Sequence, residues 1–158
     1  TGHHATTELM IRLLLEMDVI GKTILDMGCG TGILAILAAL KKAGKIVAID
    51  IDKWSYENTL ENIERNQVPQ IKVLQGDATL LTGQQFDIIL ANINRNILLS
   101  DMSYYANCLG SEGYLLLSGF YSQDLPAILD KGKELGLNYL KHIEQENWGA
   151  VSLIMDTN

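Results

Sequence analysis

The sequence predicts a doubly wound α/β fold: a mostly parallel sheet of seven strands, with one antiparallel strand near the C-terminus. Two observations support this prediction. Short apolar runs of strand length alternate with longer stretches of helical period, which is the pattern of repeated βα units. Several of these runs, such as Ile46–Ile49 and Tyr114–Leu117, are apolar throughout, as is expected when helices cover both faces of a parallel sheet.

Five strands are predicted first, and a hairpin follows them. The five strands are Thr23–Met27, Lys45–Asp50, Gln70–Gln75, Phe86–Ala91 and Gly113–Ser118. The hairpin joins Asn138–Glu144 to Ala150–Met155 around residues 146–149. Its antiparallel pairing ends the βα alternation.

Three apolar stripes at helical spacing lie before and between the first strands, and they are predicted to pack in the core. They are Leu9, Met10, Leu13, Leu14 and Met17, then Ile33, Leu34, Leu37 and Leu40, then Trp54, Leu60 and Ile63. Asp52 is placed to cap a helix that runs from Lys53 to about Asn66. Ser122, with Pro126 in the first turn, is placed to open a helix that ends at Gly136.

The composition bounds the class of protein. A chain of 158 residues suffices for one compact domain and is too short for two ordinary ones, so residues 1–158 are expected to form a single domain. No apolar run reaches the length of about 20 residues that spans a bilayer. The formal net charge of −7 argues against a broad phosphate-binding surface, so direct nucleic-acid binding is not expected. Two cysteines and no secretory segment favour a cytoplasmic location, and the oligomeric state stays open.

A glycine loop at the end of the first predicted strand is the strongest local signal. Gly28, Gly30 and Gly32 stand at alternate positions, so a ligand can lie against bare backbone there. The glycines of a dinucleotide fold are spaced G-x-G-x-x-G, and the last spacing here is one residue shorter. Asp26 would repel a pyrophosphate but suits a cationic amino-acid group, which favours a sulfonium ligand. The alternative is that these glycines only shape the turn.

Two further acids follow the second and third predicted strands. Asp50 can accept hydrogen bonds from both hydroxyls of a ribose. The competing interpretation is a helix cap, for which Asp52 is better placed. Asp77 can accept a hydrogen bond from the adenine amino group, or it is a solvated turn residue.

The sequence resembles the class I methyltransferases in three features that follow one another along the chain. They are the Asp-x-Gly-x-Gly-x-Gly loop, the acid that ends the second strand, and Gly76–Ala78 after the third. Those enzymes have a Rossmann-like fold and use S-adenosylmethionine. A closer resemblance, covering essentially the whole chain, is to the ribosomal protein L11 methyltransferase family. It rests on the segments Thr1–Thr7, Leu25–Leu34, Ile49–Asp52 and Ala91–Ile93.

The resemblance implies S-adenosylmethionine as cofactor, with Thr7, Gly28, Asp50 and Asn92 among its contacts. It also implies N-methylation of lysine or α-amino groups of a ribosomal protein. Members of this family carry a separate amino-terminal domain that recognises the ribosomal protein, and this chain begins where their catalytic domain begins. We therefore expect the recognition domain to be absent from this chain.

On the acceptor side, Asn92 follows the fourth strand, where its carbonyl can orient an amine. Alternatively it satisfies its own loop backbone. Class I methyltransferases that act on amides or base amines usually have Asn-Pro-Pro-Tyr or a close variant at this place. Residues 92–95 are Asn-Ile-Asn-Arg instead, which counts against glutamine or adenine as the acceptor. Trp148 and Tyr121 either border the acceptor entrance or pack in the core. Cys29 is predicted to be a small buried filler rather than a nucleophile.

Two other functions stay open on the sequence. One is a class I methyltransferase with an RNA or small-molecule acceptor, and the other is a non-catalytic module that binds the cofactor. A nicotinamide-dependent dehydrogenase is disfavoured by the glycine spacing and by Asp26.

Overall fold

The structure, a computed structural model, describes residues 2–157, so that Thr1 of the Thr1–Thr7 segment lies outside it. Seven strands form one sheet in the order β3-β2-β1-β4-β5-β7-β6. They are β1 Ile24–Met27, β2 Ile46–Asp50, β3 Ile71–Gln75, β4 Phe86–Asn92, β5 Leu109–Tyr121, β6 Leu137–Gln145 and β7 Trp148–Met155. Strand β7 runs antiparallel to both neighbours and the other pairs are parallel, which confirms the predicted sheet.

The order of the strands reverses at β1. The chain moves outward from β1 through β2 to β3 and then returns to β4 on the other side of β1. Loops that leave the strands on either side of such a reversal diverge, and they leave a crevice at the carboxyl ends of the strands. Met27 of β1 is level with Ile49 of β2 and Ala91 of β4, so the three loops begin side by side.

Five α-helices cover the two faces of the sheet. They are α1 Gly2–Leu15, α2 Ile33–Leu40, α3 Lys53–Arg65, α4 Arg95–Asn107 and α5 Leu125–Glu134, with short 3-10 helices at Ala78–Leu81 and Ser122–Asp124. Helices α1, α2 and α3 pack in one apolar cluster with Ile24 of β1. Helices α4 and α5 pack in a second cluster with Leu25, whose side chain points to the opposite face. No helix among residues 2–157 is long and apolar enough to cross a membrane.

The buried face of α2 differs from the predicted stripe. Leu34 is buried as predicted, but Ile33 and Leu40 are exposed. Every residue of this helix is apolar, so hydrophobicity alone does not select a face. The helix packs on its alanines, because their small side chains allow it to approach the sheet closely.

The predicted stripe of α3 is wrong for Trp54 and Leu60, which are exposed, and right for Ile63, which is buried. The other buried residue of this helix is Thr59, one turn before Ile63. A polar residue therefore heads the buried face, and a search for apolar periodicity does not find it. The predicted cap is confirmed, because Asp52 Oδ2 accepts a hydrogen bond from Ser55 N at 2.9 Å.

Two boundaries near the C-terminus also differ from the predictions. Ser122 does not open α5: it lies in the 3-10 turn before that helix, and its hydroxyl is buried without a hydrogen-bond partner. The hairpin turn is Glu146–Asn147 rather than residues 146–149, and both residues have positive φ (51° and 70°). Such a two-residue turn matches the twist of the flanking strands, so Trp148 and Gly149 belong to β7.

A bulge in β5 fixes the loop that follows β4. The register of β5 shifts around Gly119, which has φ +104°. A Cβ atom at Gly119 would lie 2.2 Å from the carbonyl oxygen of Ile93. Ile93 N also donates a hydrogen bond to Ser118 O at 3.0 Å. The absence of a side chain at Gly119 therefore allows the Ile93 backbone to lie against β5.

We expect the substitution Gly119→Ala to lower the free energy of unfolding by about 3 kcal/mol or more, because the methyl group meets rigid backbone at a left-handed position. Gly83→Ala is the matched control, since Gly83 also has positive φ but has open space around its Cβ position. It should cost only about 1 kcal/mol. Urea unfolding measures both values, and equal losses would contradict the assigned contact.

Candidate functional site

Two cavities lie side by side at the carboxyl edge of the sheet. One, of about 750 Å³, lies between α1 and the loop from β1 to α2. The other, of about 790 Å³, lies between the end of β2, the first 3-10 helix and α4. Gly28, Asn92 and Ile93 line both cavities. Together they form one groove across the crevice at β1, with room for an extended ligand of cofactor size.

The floor of the groove is the glycine loop. Gly28, Gly30 and Gly32 all have positive φ (74°, 57° and 84°), a conformation that glycine adopts without steric cost. A Cβ at Gly28 would lie 2.7 Å from the Ile93 side chain. Gly28 and Gly30 line the first cavity, whereas Gly32 lines neither cavity.

Asp26 lies beneath this loop and lines the first cavity. Its side chain is almost completely buried, and its Oδ2 accepts a hydrogen bond from Ala35 N, in the first turn of α2, at 3.1 Å. Burial raises the pKa of Asp26 to about 7; the bond from Ala35 opposes this rise and the charge of Asp50 adds to it. The carboxyl group is therefore poised between its two protonation states near neutral pH.

Asp50 lies at the end of β2 and lines the second cavity. Its Oδ2 accepts a hydrogen bond from Gly30 N at 2.9 Å, and its Oδ1 accepts one from Asp52 N at 3.0 Å. Since Asp52 caps α3, the competing interpretation of Asp50 as the helix cap is wrong. Asp50 instead lines the second cavity and is hydrogen-bonded to the glycine loop through Gly30 N.

Asp77 faces the same cavity and also has a local structural role. Its Oδ1 accepts a hydrogen bond from Thr79 N at 3.0 Å and caps the 3-10 helix. Bonds from the side chain and backbone of Thr79 lower the pKa of Asp77. Both sequence interpretations of this residue, as a turn aspartate and as a ligand contact, fit its position.

Thr7 and Asn92 meet across the first cavity. Asn92 Nδ2 lies 3.4 Å from Thr7 Oγ1, which joins the end of β4 to α1. The alternative role of Asn92 was to satisfy the backbone of its own loop. Asn94 has that role instead: its Oδ1 accepts a hydrogen bond from Ile97 N at 3.1 Å and caps α4. The amide of Asn92 is therefore presented to both cavities.

An aromatic pair borders the first cavity. The rings of Tyr121 and Trp148 stack with centroids 4.2 Å apart. An adjoining cavity of about 470 Å³ is lined by Tyr121. It shares Trp148, Asn94 and Gly119 with the first cavity. The structure therefore places Trp148 at the rim, one of the two positions that the sequence left open. Cys29 is buried beside Thr59.

Sequence reasoning missed several residues that line the groove. Glu8 and Ile11 come from the same face of α1 as Thr7, and their helical spacing would have indicated them once Thr7 was placed on a helix. The isolated Gly119 within an apolar strand was a signal of a bulge. Ile93 carried no local signal. Among the described residues, no group of three or more His, Cys, Asp or Glu side chains is arranged to hold a metal ion.

The sequence matches the family model for ribosomal protein L11 methyltransferase (PrmA) over residues 1–155. The ribosomal protein L11 methyltransferase of Phocaeicola vulgatus is 51% identical over 156 residues, which cover 98% of this chain and 56% of that protein. The corresponding protein of Chlorobaculum tepidum is 39% identical, with 94% and 53% covered. The chain thus spans about half the length of the curated relatives it matches.

Solved structures agree with this match. The crystal structure of a ribosomal protein L11 methylase from Lactobacillus delbrueckii subsp. bulgaricus has a TM-score of 0.90 at 27% identity, covering 96% of this chain and 79% of that chain. An RNA methyltransferase from Salinibacter ruber in complex with S-adenosyl-L-homocysteine has a TM-score of 0.77 at 16% identity, covering 96% and 92%. At that identity the likeness shows the fold alone.

The buried Asp26 carboxyl predicts a pH dependence of stability. Between about pH 4 and pH 7 it keeps its proton in the native state and has lost it in the unfolded chain, so stability falls as pH rises through this window, by on the order of 3–4 kcal/mol. The variant Asp26→Asn, which keeps an oxygen for the Ala35 bond, should lack this contribution. Urea unfolding of both proteins at several pH values measures it, and parallel pH profiles would refute it.

Proposed function

The chain belongs to the ribosomal protein L11 methyltransferase family, and we propose that it is the part of such an enzyme that binds S-adenosylmethionine and transfers its methyl group to an amine of a ribosomal protein. The observation that carries this proposal is the continuous groove across Gly28. It joins a cavity lined by Asp26 and Asn92 to one lined by Asp50 and Asp77.

The second cavity fits the adenosine half of the cofactor. Each carboxylate oxygen can accept two hydrogen bonds, and each oxygen of Asp50 accepts one from the backbone. One position on each oxygen is left for the two ribose hydroxyls. Ile51, which is 70% exposed, offers an apolar surface for the base in the same cavity, and Asp77 is placed to accept from the adenine amino group.

The first cavity fits the methionine half of the cofactor. Gly28 and Gly30 line the cavity without side chains, so that chain can lie against the loop backbone, and Asp26 supplies a carboxyl group beneath the loop. The Cβ position of Gly32 faces Thr59 instead. A bound ammonium group would favour the ionised form of Asp26. Thr7 and Asn92 close the cavity from α1 and β4.

The acids of the groove favour a basic acceptor. Among the described residues, its lining includes five acidic side chains but no lysine or arginine. The acidic residues are Glu8, Asp26, Asp50, Asp77 and Asp101. Such a surface attracts a cofactor that carries positive charge and a lysine-bearing protein, and it repels phosphates. This lining supports a protein acceptor over RNA, and a ribosomal protein substrate places the reaction in the cytoplasm.

Bound S-adenosylmethionine would supply a methyl group that is already activated as an electrophile, so the protein contributes mainly positioning. The amide oxygen of Asn92 accepts a hydrogen bond from the acceptor amine and directs its lone pair into the groove. Trp148 and Tyr121 border the path by which the amine enters. The amine enters as the neutral base after water has taken its proton, because the amide of Asn92 can orient the amine but cannot accept its proton.

Calorimetric titration of S-adenosylmethionine and, separately, NAD tests the cofactor. We expect saturable binding of S-adenosylmethionine only, and a loss of about tenfold or more in Asp50→Ala, because this variant removes the ribose acceptor and leaves Gly30 N unpaired. Asp52→Ala is the matched control: it removes the α3 cap but does not line the groove, so affinity should be retained. Binding of NAD alone would reject the proposal, and so would the absence of binding by either ligand.

Transfer of labelled methyl groups tests the acceptor. Incubation with ribosomal protein L11, ribosomal RNA and small amines should label the protein. Trp148→Ala should raise KM for that acceptor several-fold while leaving the affinity for S-adenosylmethionine unchanged, because Trp148 lies at the rim. Tyr139→Ala, at an exposed aromatic residue of β6 outside the groove, is the control. Label on RNA or small amines alone would select the alternative acceptor class.

A further inference from the structure

Thr59 is a buried polar residue that does not line either cavity of the groove. It lies in α3, whose other buried residue is Ile63. Most buried polar side chains in proteins satisfy a specific partner, because an unpaired one is costly. The partners of Thr59 therefore indicate why a threonine heads the buried face of this helix.

The hydroxyl of Thr59 holds the middle of the glycine loop. Thr59 Oγ1 donates a hydrogen bond to Gly30 O at 2.9 Å, while Gly30 N donates to Asp50 Oδ2. Both backbone polar groups of Gly30 are thus fixed by side chains from outside the loop. Since the single hydroxyl hydrogen of Thr59 is engaged, the thiol of Cys29 is the donor in its 3.4 Å contact with Thr59 Oγ1.

The methyl group of Thr59 fills the space left by another glycine. A Cβ at Gly32 would lie 2.8 Å from Thr59 Cγ2. Nearly one turn later in α3, Asn62 Nδ2 donates a hydrogen bond to Thr31 O at 2.8 Å. Helix α3 therefore holds two consecutive carbonyl groups of the loop and packs against its last glycine.

We infer that Thr59 is a positioning residue: through Gly30 and Gly32 it holds the glycine loop in its ligand-binding conformation and thereby sets the affinity for the cofactor without touching it. This inference rests on the proposed function. The loop has three left-handed glycines, and glycine has more freedom to lose than any other residue. A loop that is already ordered loses less conformational entropy on binding.

Two substitutions at Thr59 separate its two contacts. Thr59→Val keeps the shape but removes the hydroxyl, so Gly30 O loses its partner. We expect the dissociation constant for S-adenosylmethionine to rise about tenfold, as for one part-buried acceptor that loses its partner. Thr59→Ser keeps the hydroxyl and should remain within about threefold of the wild type. Ile63→Val, one turn away in the same buried face, should lower the melting temperature and leave the affinity unchanged.

Amide hydrogen exchange of the free chain gives a readout that needs no ligand. The Gly30 and Thr31 amides should exchange faster in Thr59→Val than in Ile63→Val, when the two variants are compared at the same interval below their melting temperatures. If the wild type fails to bind S-adenosylmethionine, the proposed function fails, while the exchange data still decide whether Thr59 holds the loop. Wild-type affinity in Thr59→Val would reduce Thr59 to a structural role and overturn the inference. If Thr59→Val does not fold, comparison of Thr59→Ala with Thr59→Ser makes the same test of the hydroxyl.

Discussion

The left-handed backbone of the loop between β1 and α2 is the constraint on which the rest of the site depends. Once Gly28 turns the chain, its N–H and that of Cys29 both reach Ile49 O, at 2.8 and 3.0 Å. These two bonds tie the loop to the end of β2, immediately before Asp50. The position of the acid that faces the ligand is therefore fixed by the same turn that exposes the backbone floor.

Three side chains join this loop and the strands beside it to the helices that follow. Asp50 links the loop to the start of α3, Thr59 links it to the middle of α3, and Asp26 links the end of β1 to α2. Helices α2 and α3 are thus each held beside the loop by at least one side-chain hydrogen bond. Networks of this kind hold a site within the narrow geometry that positioning requires.

The sequence predicted the parts of this arrangement that have local causes. The glycine spacing, the cap at Asp52 and the alternation of strands and helices follow from nearby residues. Thr7 and Asn92 are 85 positions apart and came from family resemblance, because no local pattern predicts a contact at that separation. Trp54 was wrongly predicted to be buried, and no prediction was made for Thr59, because apolar periodicity does not register a buried face that begins with a hydroxyl.

The departure from Asn-Pro-Pro-Tyr after β4 has a structural meaning. Asn94 is engaged in capping α4, and Arg95 Nη1 pairs with Asp124 Oδ1 at 3.1 Å. The Oδ1 atom of Asn94 and the Nη1 atom of Arg95 are therefore engaged in contacts of the fold. Asn92 lines both cavities of the groove, and its amide can orient an amine but cannot take its proton. In the proposed reaction, selection among acceptors would therefore depend on the shape of the rim at Trp148 and on the negative charge of the groove.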